Sequence, residues 1–356
     1  MRAARYYGKE DVRIDEIDEP QVRPGTVKIA PAYNGICGSD LHLYHDGPIP
    51  PAPTESEPHP LSGETLPVVF GHEFAGVVEE VGEGVDGLQP GDHVAVEPLM
   101  VDGTCPACKA GKYNLCERMG FIGISGHGGG LSEHIVVDKR WVHPVGDMPL
   151  DQAALIEPLA VTVHAVRHAG IGSDSGGGVA VVGGAGPIGL LTAAVLRAYG
   201  MRTIVSEIAE VRRAKAQETG VADVTVDPST ESLTDIVREQ SDGLMAAVAF
   251  DAAGVGVVLD QLFDALAPGG RLEVIALHAK PYELDITDRL TMHDRVLGSA
   301  IGYANAHDEA IRLVREGLID LAPFITSRIR VDDIIEQGYQ KLLRDRSEVK
   351  ILVSMS

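Results

Sequence analysis

Four cysteines divide one and three along this chain: Cys37 stands alone, while Cys105, Cys108 and Cys116 fall within twelve residues. Cysteine thiols are chiefly buried hydrophobes or metal ligands, and the trio has the tight spacing of a structural zinc lobe. Cys37 lies in Gly35-Ile36-Cys37-Gly38-Ser39-Asp40-Leu41-His42. Ser39 there can take a proton, and His42, a side chain that titrates near neutrality, can pass it to solvent. Ser39 and Asp40 can equally cap a helix that begins at this point. Two further fragments carry ligand-type groups: His72-Glu73 in Gly71-His72-Glu73-Phe74, and Glu157 in Ile156-Glu157-Pro158-Leu159. Zinc held by a cysteine, a histidine and a carboxylate keeps an open position for water or substrate. Spacing alone does not bring these fragments together, and a lone histidine in a β domain is more often structural than ligating.

A second kind of chemistry is written in Gly183-Gly184-Ala185-Gly186-Pro187-Ile188-Gly189. Gly184, Gly186 and Gly189 form G-x-G-x-x-G between an apolar strand, Val179 to Val182, and a predicted helix, Pro187 to Tyr199, the context that a dinucleotide turn requires. The first glycine permits the turn, the second admits a pyrophosphate and the third lets helix pack on strand. Free N–H groups at the helix start, including those near Pro187 and Ile188, favour the anion. Glu207, eighteen residues past Gly189 at the end of the next strand, can accept from ribose hydroxyls and repel a 2′-phosphate, which predicts NAD over NADP. Its alternative is a solvated strand-end glutamate. Arg212 and Arg213 follow closely and soften the preference if they reach a 2′-phosphate.

These residues need elements to position them. The first half is rich in glycine and proline with short apolar runs (Thr26 to Ile29, Phe74 to Val78, His93 to Val96), a β-barrel pattern punctuated by Pro24-Gly25 and Pro90-Gly91. Residues 46 to 67 form a Pro-rich excursion, either a surface loop or a lid over a pocket. From about residue 158, helical stretches alternate with the strand candidates 179–182, 203–205, 247–250 and 272–275, the signature of βαβ units. A helix over 309–316 and a strand over 349–353 close the chain, and the last strand is expected to return to the first domain. The fold class is therefore α/β with two domains.

The formal charge of −22 argues against a nucleic-acid surface, which needs a basic patch. No apolar run approaches the roughly 20 residues that span a bilayer. The N-terminal residues Met1 to Lys9 do not read as a signal peptide, so a reducing cytoplasm is expected, where clustered cysteines bind metal more often than they form disulfides. Nine lysines against twenty-one arginines, with many acids, suit either a high-salt cytoplasm or codon bias in a high-GC genome.

Taken together, these motifs resemble the zinc-dependent medium-chain dehydrogenase/reductase superfamily over essentially the full length. The likeness is carried by Gly35 to His42, by GHEFAG at Gly71 to Gly76, by the lobe with Lys112-Tyr113-Asn114-Leu115-Cys116, by FIGISGHGGG at Phe121 to Gly130, by Glu157 to Val166 and by Gly183 to Leu190. Within the superfamily the chain looks most like the branch that acts on (R,R)-2,3-butanediol, a likeness shared by the excursion ending His59 to Glu64. The resemblance implies a GroES-like catalytic domain over 1–157 with a zinc lobe at about 97–118, a Rossmann domain over 158–300, and a segment 301–356 completing the first. It implies catalytic zinc on Cys37, His72 and Glu157, with Glu73 adjacent as an alternative ligand and zinc acidifying the alcohol. It further implies proton relay by Ser39 and His42, hydride transfer from a small diol or hydroxyketone's carbinol carbon to NAD, and a homodimer or homotetramer.

Other branches use the same parts on polyols, sugars or threonine, and a non-enzymatic, crystallin-like use is opposed by the retained Cys37, Ser39, His42, His72 and Glu157. Lys350 reads as a surface lysine, or as a contact to cofactor phosphate. The departure lies in the lobe, where Asp102 occupies the first place of a C-x-x-C-x-x-C-x7-C pattern. Asp102 with Cys105, Cys108 and Cys116 is a feasible zinc set, the alternative being a bare lobe of three thiols.

Overall fold

Along Thr26–Gly35 the first six residues alternate half-buried and buried, the period of a strand with one face in a core. In the computed structural model, which describes residues 1–355, this strand is the hub of a seven-stranded sheet. It pairs antiparallel with Glu73–Val81, with Ile135–Asp138 and with Lys350–Ser354, and the last of these runs parallel to Ile325–Arg330. A smaller sheet orders Asp11–Glu16, Arg2–Gly8 and Val68–Val69. Tyr6, Phe70, Leu131, Tyr339 and Ile351 meet in the core of this unit.

The unit comprises Met1–Glu157 and the chain from Ile325 onward; Pro158–Phe324 forms the other. In the second unit every residue of Val179–Gly183 is buried, as in a strand covered on both faces. Six parallel strands run Val224–Val226, Arg202–Ser206, Val179–Gly183, Ala246–Asp251, Leu266–Val274 and Val296–Ser299. That is the doubly wound order, reversing between the third and fourth strands, where a dinucleotide binds outside the carboxyl ends. The helix expected over 187–199 forms as Pro187–Ala198. The strands Val224–Val226 and Val296–Ser299 escape sequence reading because most of their residues are half-buried or exposed, without the continuous buried apolar run of the inner strands.

One expectation changes. The return to the first unit, expected at 301, comes at Ile325. The helix His307–Arg315 stays with the second unit because Ala310 and Leu313 are buried there, the Tyr199 hydroxyl donates to Glu309 at 2.7 Å, and Arg167 donates to the Asn305 carbonyl at 2.9 Å. The Pro-rich excursion is tied down. Ser62 Oγ donates to the Ser125 carbonyl at 2.6 Å, Ser125 Oγ donates to the Pro51 carbonyl at 3.0 Å, and Glu64 accepts from the His127 N–H at 2.7 Å. With its own His59 buried and 3.4 Å from the Met119 carbonyl, this segment packs on the 119–128 stretch.

Candidate metal and cofactor sites

Strand register assembles the first site. Gly35 faces Glu73 across one strand pair and Leu352 across another, which brings Cys37, the His72-Glu73 pair and Lys350 to one end of the sheet. Gly35 is obligatory: a Cβ there would lie 2.3 Å from Glu73 Oε2. Among the described residues, Cys37, His72 and Glu73 place their ligand atoms within 4.8 Å of one another. The helix Gly38–Asp46 begins directly after Cys37, and Asp40 Oδ2 accepts from the Cys37 N–H at 2.9 Å. Asp40 thus caps, and its other oxygen lies 3.3 Å from His72 Nδ1. That contact aims Nε2 at the site, where it meets Ser39 Oγ at 3.2 Å. Ser39 is half-buried, whereas His42, one helical turn on, is exposed and 3.2 Å from Asp46.

The charges of this cluster ask for a cation. Burial works against a charged His72, but the Asp40 carboxylate and the Cys37 sulfur prevail and lift its pKa well above the usual range. A metal ion would take the place of that proton, and the soft and hard donors present suit zinc. Glu157 is buried in the first turn of Ile156–His168 and stands outside the 4.8 Å set, although close enough to act on Lys350.

Lys350 corrects the sequence reading. It is neither a surface lysine nor aimed at cofactor phosphate: it is 3 % exposed, donating to Glu73 Oε2 at 2.5 Å and to the Ile36 carbonyl at 3.2 Å. Burial opposes its charge, but Glu73, Cys37 and Glu157 raise its pKa. The signal was available, because a lone lysine within the apolar run Val349 to Val353 must find a buried partner. Asp40's second partner, His72, had no such signal.

The lobe is also compact. Asp102, Cys105, Cys108 and Cys116 offer ligand atoms within 4.8 Å of one another, and all four cysteines of the chain are free thiols. Cys105 Sγ accepts from the Cys108 N–H at 3.5 Å and Cys116 Sγ from the Arg118 N–H at 3.5 Å. Burial first, then the sulfurs of Cys105 and Cys116, push the Cys108 thiol up to about 12. Three thiolates cannot share this space without a cation, which fits a metal. Asp102 also shapes the turn that carries the cysteines, since its Oδ1 accepts from the N–H groups of Thr104 and Cys105 at 2.7 and 2.9 Å.

In the second unit Gly184 takes φ +101°, and a Cβ on Gly189 would lie 2.0 Å from the Gly184 carbonyl. Gly186 caps the helix with open space where its Cβ would be, and Pro187 occupies the first turn beside Ile188. The cap residue Gly186 has no side chain to occupy the N–H groups of this turn, the arrangement an anion site uses. Glu207 is buried rather than solvated. Its Oε2 accepts from the Ala185 N–H at 2.9 Å and its Oε1 from the Ala209 N–H at 2.8 Å. It therefore pins the glycine turn while each oxygen keeps a further lone pair. Arg213 is engaged by the carbonyls of Glu207 and Ile208 and by Asp227 at 3.0 Å, while Arg212 is half-buried on the same helix.

Comparison with known proteins places these sites in context. The family described as "Alcohol dehydrogenase GroES-like domain" matches residues 23–147, and "Zinc-binding dehydrogenase" matches 187–316. The chain is 47% identical over 358 residues to an (R,R)-butanediol dehydrogenase of Neisseria gonorrhoeae, covering 99% of each. It is 33% identical to an L-threonine 3-dehydrogenase of Thermococcus kodakarensis, covering 96% of this chain and 93% of the relative. The crystal structure of 2R,3R-butanediol dehydrogenase from Bacillus subtilis superposes with a TM-score of 0.92 at 39% identity, covering 100% of this chain and 99% of that one.

Proposed function

Because this chain belongs to the zinc-dependent medium-chain alcohol dehydrogenases, with a GroES-like and a Rossmann domain, we propose that it interconverts (R,R)-2,3-butanediol and acetoin with NAD as the hydride acceptor. The observation that carries the substrate is the 47% identity to an (R,R)-butanediol dehydrogenase across 99% of both chains. The observation that carries the chemistry is the cluster of Cys37, His72 and Glu73.

When bound, zinc supplies a Lewis acid that acidifies an alcohol and NAD supplies the hydride acceptor. In this reading Cys37, His72 and a carboxylate hold the zinc. Glu73 lies in ligand range, and Glu157 is the second carboxylate of the cluster. Lys350 and Asp40 are positioning residues, the first for Glu73 and the second for His72. Ser39 Oγ takes the substrate's hydroxyl proton, and exposed His42 hands it to water. Asp102, Cys105, Cys108 and Cys116 hold a second zinc that shapes the lobe. The glycine turn and Pro187–Ala198 receive the pyrophosphate, and Glu207 favours NAD by accepting from the adenosine ribose.

We further place the enzyme in the cytoplasm, where four free thiols are kept reduced, and read it as a homodimer or homotetramer. The edge strand Val296–Ser299 supports self-association, since among the described residues its outer hydrogen-bonding edge pairs with no strand and Val296 and Leu297 are exposed.

Metal analysis combined with NADH formation on (R,R)-, (S,S)- and meso-2,3-butanediol, sorbitol, glucose and threonine tests the proposal. The (R,R)-diol should give the highest kcat/KM. A preference for threonine or a polyol would reassign the substrate, and bound zinc and NADH without any turnover would make the protein non-enzymatic.

A further inference from the structure

One buried acid of the second unit has no part in the chemistry above. Asp251, fully buried, ends the strand Ala246–Asp251 and lies in register with Gly183 beside the glycine turn. Its Oδ1 accepts from the N–H groups of Ala253 and Gly254 at 3.0 and 3.1 Å, and its Oδ2 lies 2.6 Å from His278 Nε2. Its carbonyl accepts from Ile275 and Ala276 at 3.0 and 3.1 Å. One residue thereby ties the loop after its own strand to the loop after Leu266–Val274. The packing leaves no slack. Gly254 takes φ +71° and a Cβ there would lie 2.6 Å from the Leu277 carbonyl, while a Cβ on Gly184 would lie 3.2 Å from Ala253.

A carboxylate only accepts, so Nε2 of His278 carries the proton of this pair, and Nδ1 of the neutral ring is an acceptor. The side chain keeps 18% of its surface exposed, and among the described residues Nδ1 has no protein partner. A dinucleotide crosses the sheet where the strand order reverses, between Val179–Gly183 and Ala246–Asp251. Glu207, at the end of Arg202–Ser206, marks the adenosine side. The nicotinamide half then extends the other way, over the ends of Ala246–Asp251 and Leu266–Val274, where His278 stands.

We propose that His278 binds the nicotinamide half of NAD, its Nδ1 accepting a hydrogen bond from a ribose hydroxyl or from the carboxamide amino group, with Asp251 as its positioning residue. The inference rests on the NAD-linked reading above. Its test is NADH binding to the zinc-loaded protein by fluorescence titration, without substrate, alongside competition by ADP, which carries only the adenosine half. His278→Phe should raise the NADH Kd about five- to tenfold, the worth of one hydrogen bond, and leave the ADP Kd unchanged. His278→Gln, which keeps an acceptor, should recover part of the loss.

The reduced 3-acetylpyridine analogue, lacking the amino group, separates the two donors. A penalty confined to NADH assigns the carboxamide and one shared by both assigns the ribose, and either supports the proposal. An unchanged NADH Kd in His278→Phe, or equal weakening of ADP, overturns it. Wild-type protein that fails to bind NADH would instead overturn the NAD-linked reading. Asp251→Asn should reproduce part of the NADH-selective loss, with circular dichroism reporting whether it folds.

Discussion

Buried charges hold each other at the first site, and their energies set what substitution does there. Lys350 and Glu73 are 3% and 1% exposed, so removing one partner strands the other without water. Lys350→Met should cost about 3–5 kcal/mol of unfolding free energy in a denaturant titration of the metal-free protein. The double change with Glu73→Gln should recover much of it, and an unaltered midpoint in Lys350→Met would show that the pair is not coupled. Cys37→Ser and His72→Ala should each lower kcat/KM more than about a hundredfold and reduce bound zinc, since even the outer partners of metal ligands are worth 10–100-fold. Near-wild-type turnover would remove the zinc assignment. The raised His72 pKa fixes a further sign. Its proton contributes stability to the metal-free protein that is fully present below about pH 6.5 and lost as pH rises through the raised value. Zinc must displace that proton, so its apparent affinity should climb with pH, by about tenfold per unit for each proton released. A competition titration that is flat with pH would separate His72 from the metal.

At the scale of elements, two turns are built around acids that do double duty. Asp102 accepts two backbone N–H groups in the lobe and also stands in ligand range of three cysteines. Asp102→Asn keeps an acceptor for the turn but gives up the carboxylate's charge, so it should lower the zinc count towards one per chain, while Asp102→Cys should keep two. Equal counts in both variants and wild type would leave the lobe metal independent of this residue. Glu207 likewise holds Ala185 in the glycine turn and Ala209 at the start of the helix Glu210–Glu218. Glu207→Ala should therefore weaken NAD binding and narrow the NAD/NADP preference together. Loss of affinity for both cofactors with an unchanged ratio would reduce Glu207 to a structural peg.

For the whole molecule, charge and the open sheet edge govern behaviour. A net charge of −22 makes the folded chain repel itself, and screening relieves this within a Debye length of about 8 Å at physiological ionic strength. Thermal unfolding should move to higher temperature as potassium chloride is raised from low to molar levels. A falling Tm would point to ion pairs as the dominant surface term. Light scattering should find a dimer or tetramer, and a charged residue at Leu297 on the edge strand should shift it towards monomer.

The local patterns were legible because they need only neighbours. The glycine turn, the helix after it, the cysteine trio with Asp102, and the strand periods all depend on residues within one element of each other. Tertiary structure decided what lay across the chain. Glu73 enters the ligand set because Gly35 faces it in register and has no side chain to exclude it. Lys350 becomes its buried partner because the last strand returns antiparallel to Thr26–Gly35. The tie from Asp251 to His278 spans two strand ends. A sequence carries the donors and acceptors of such contacts, but strand register, fixed by burial of the alternating face, chooses which of them meet.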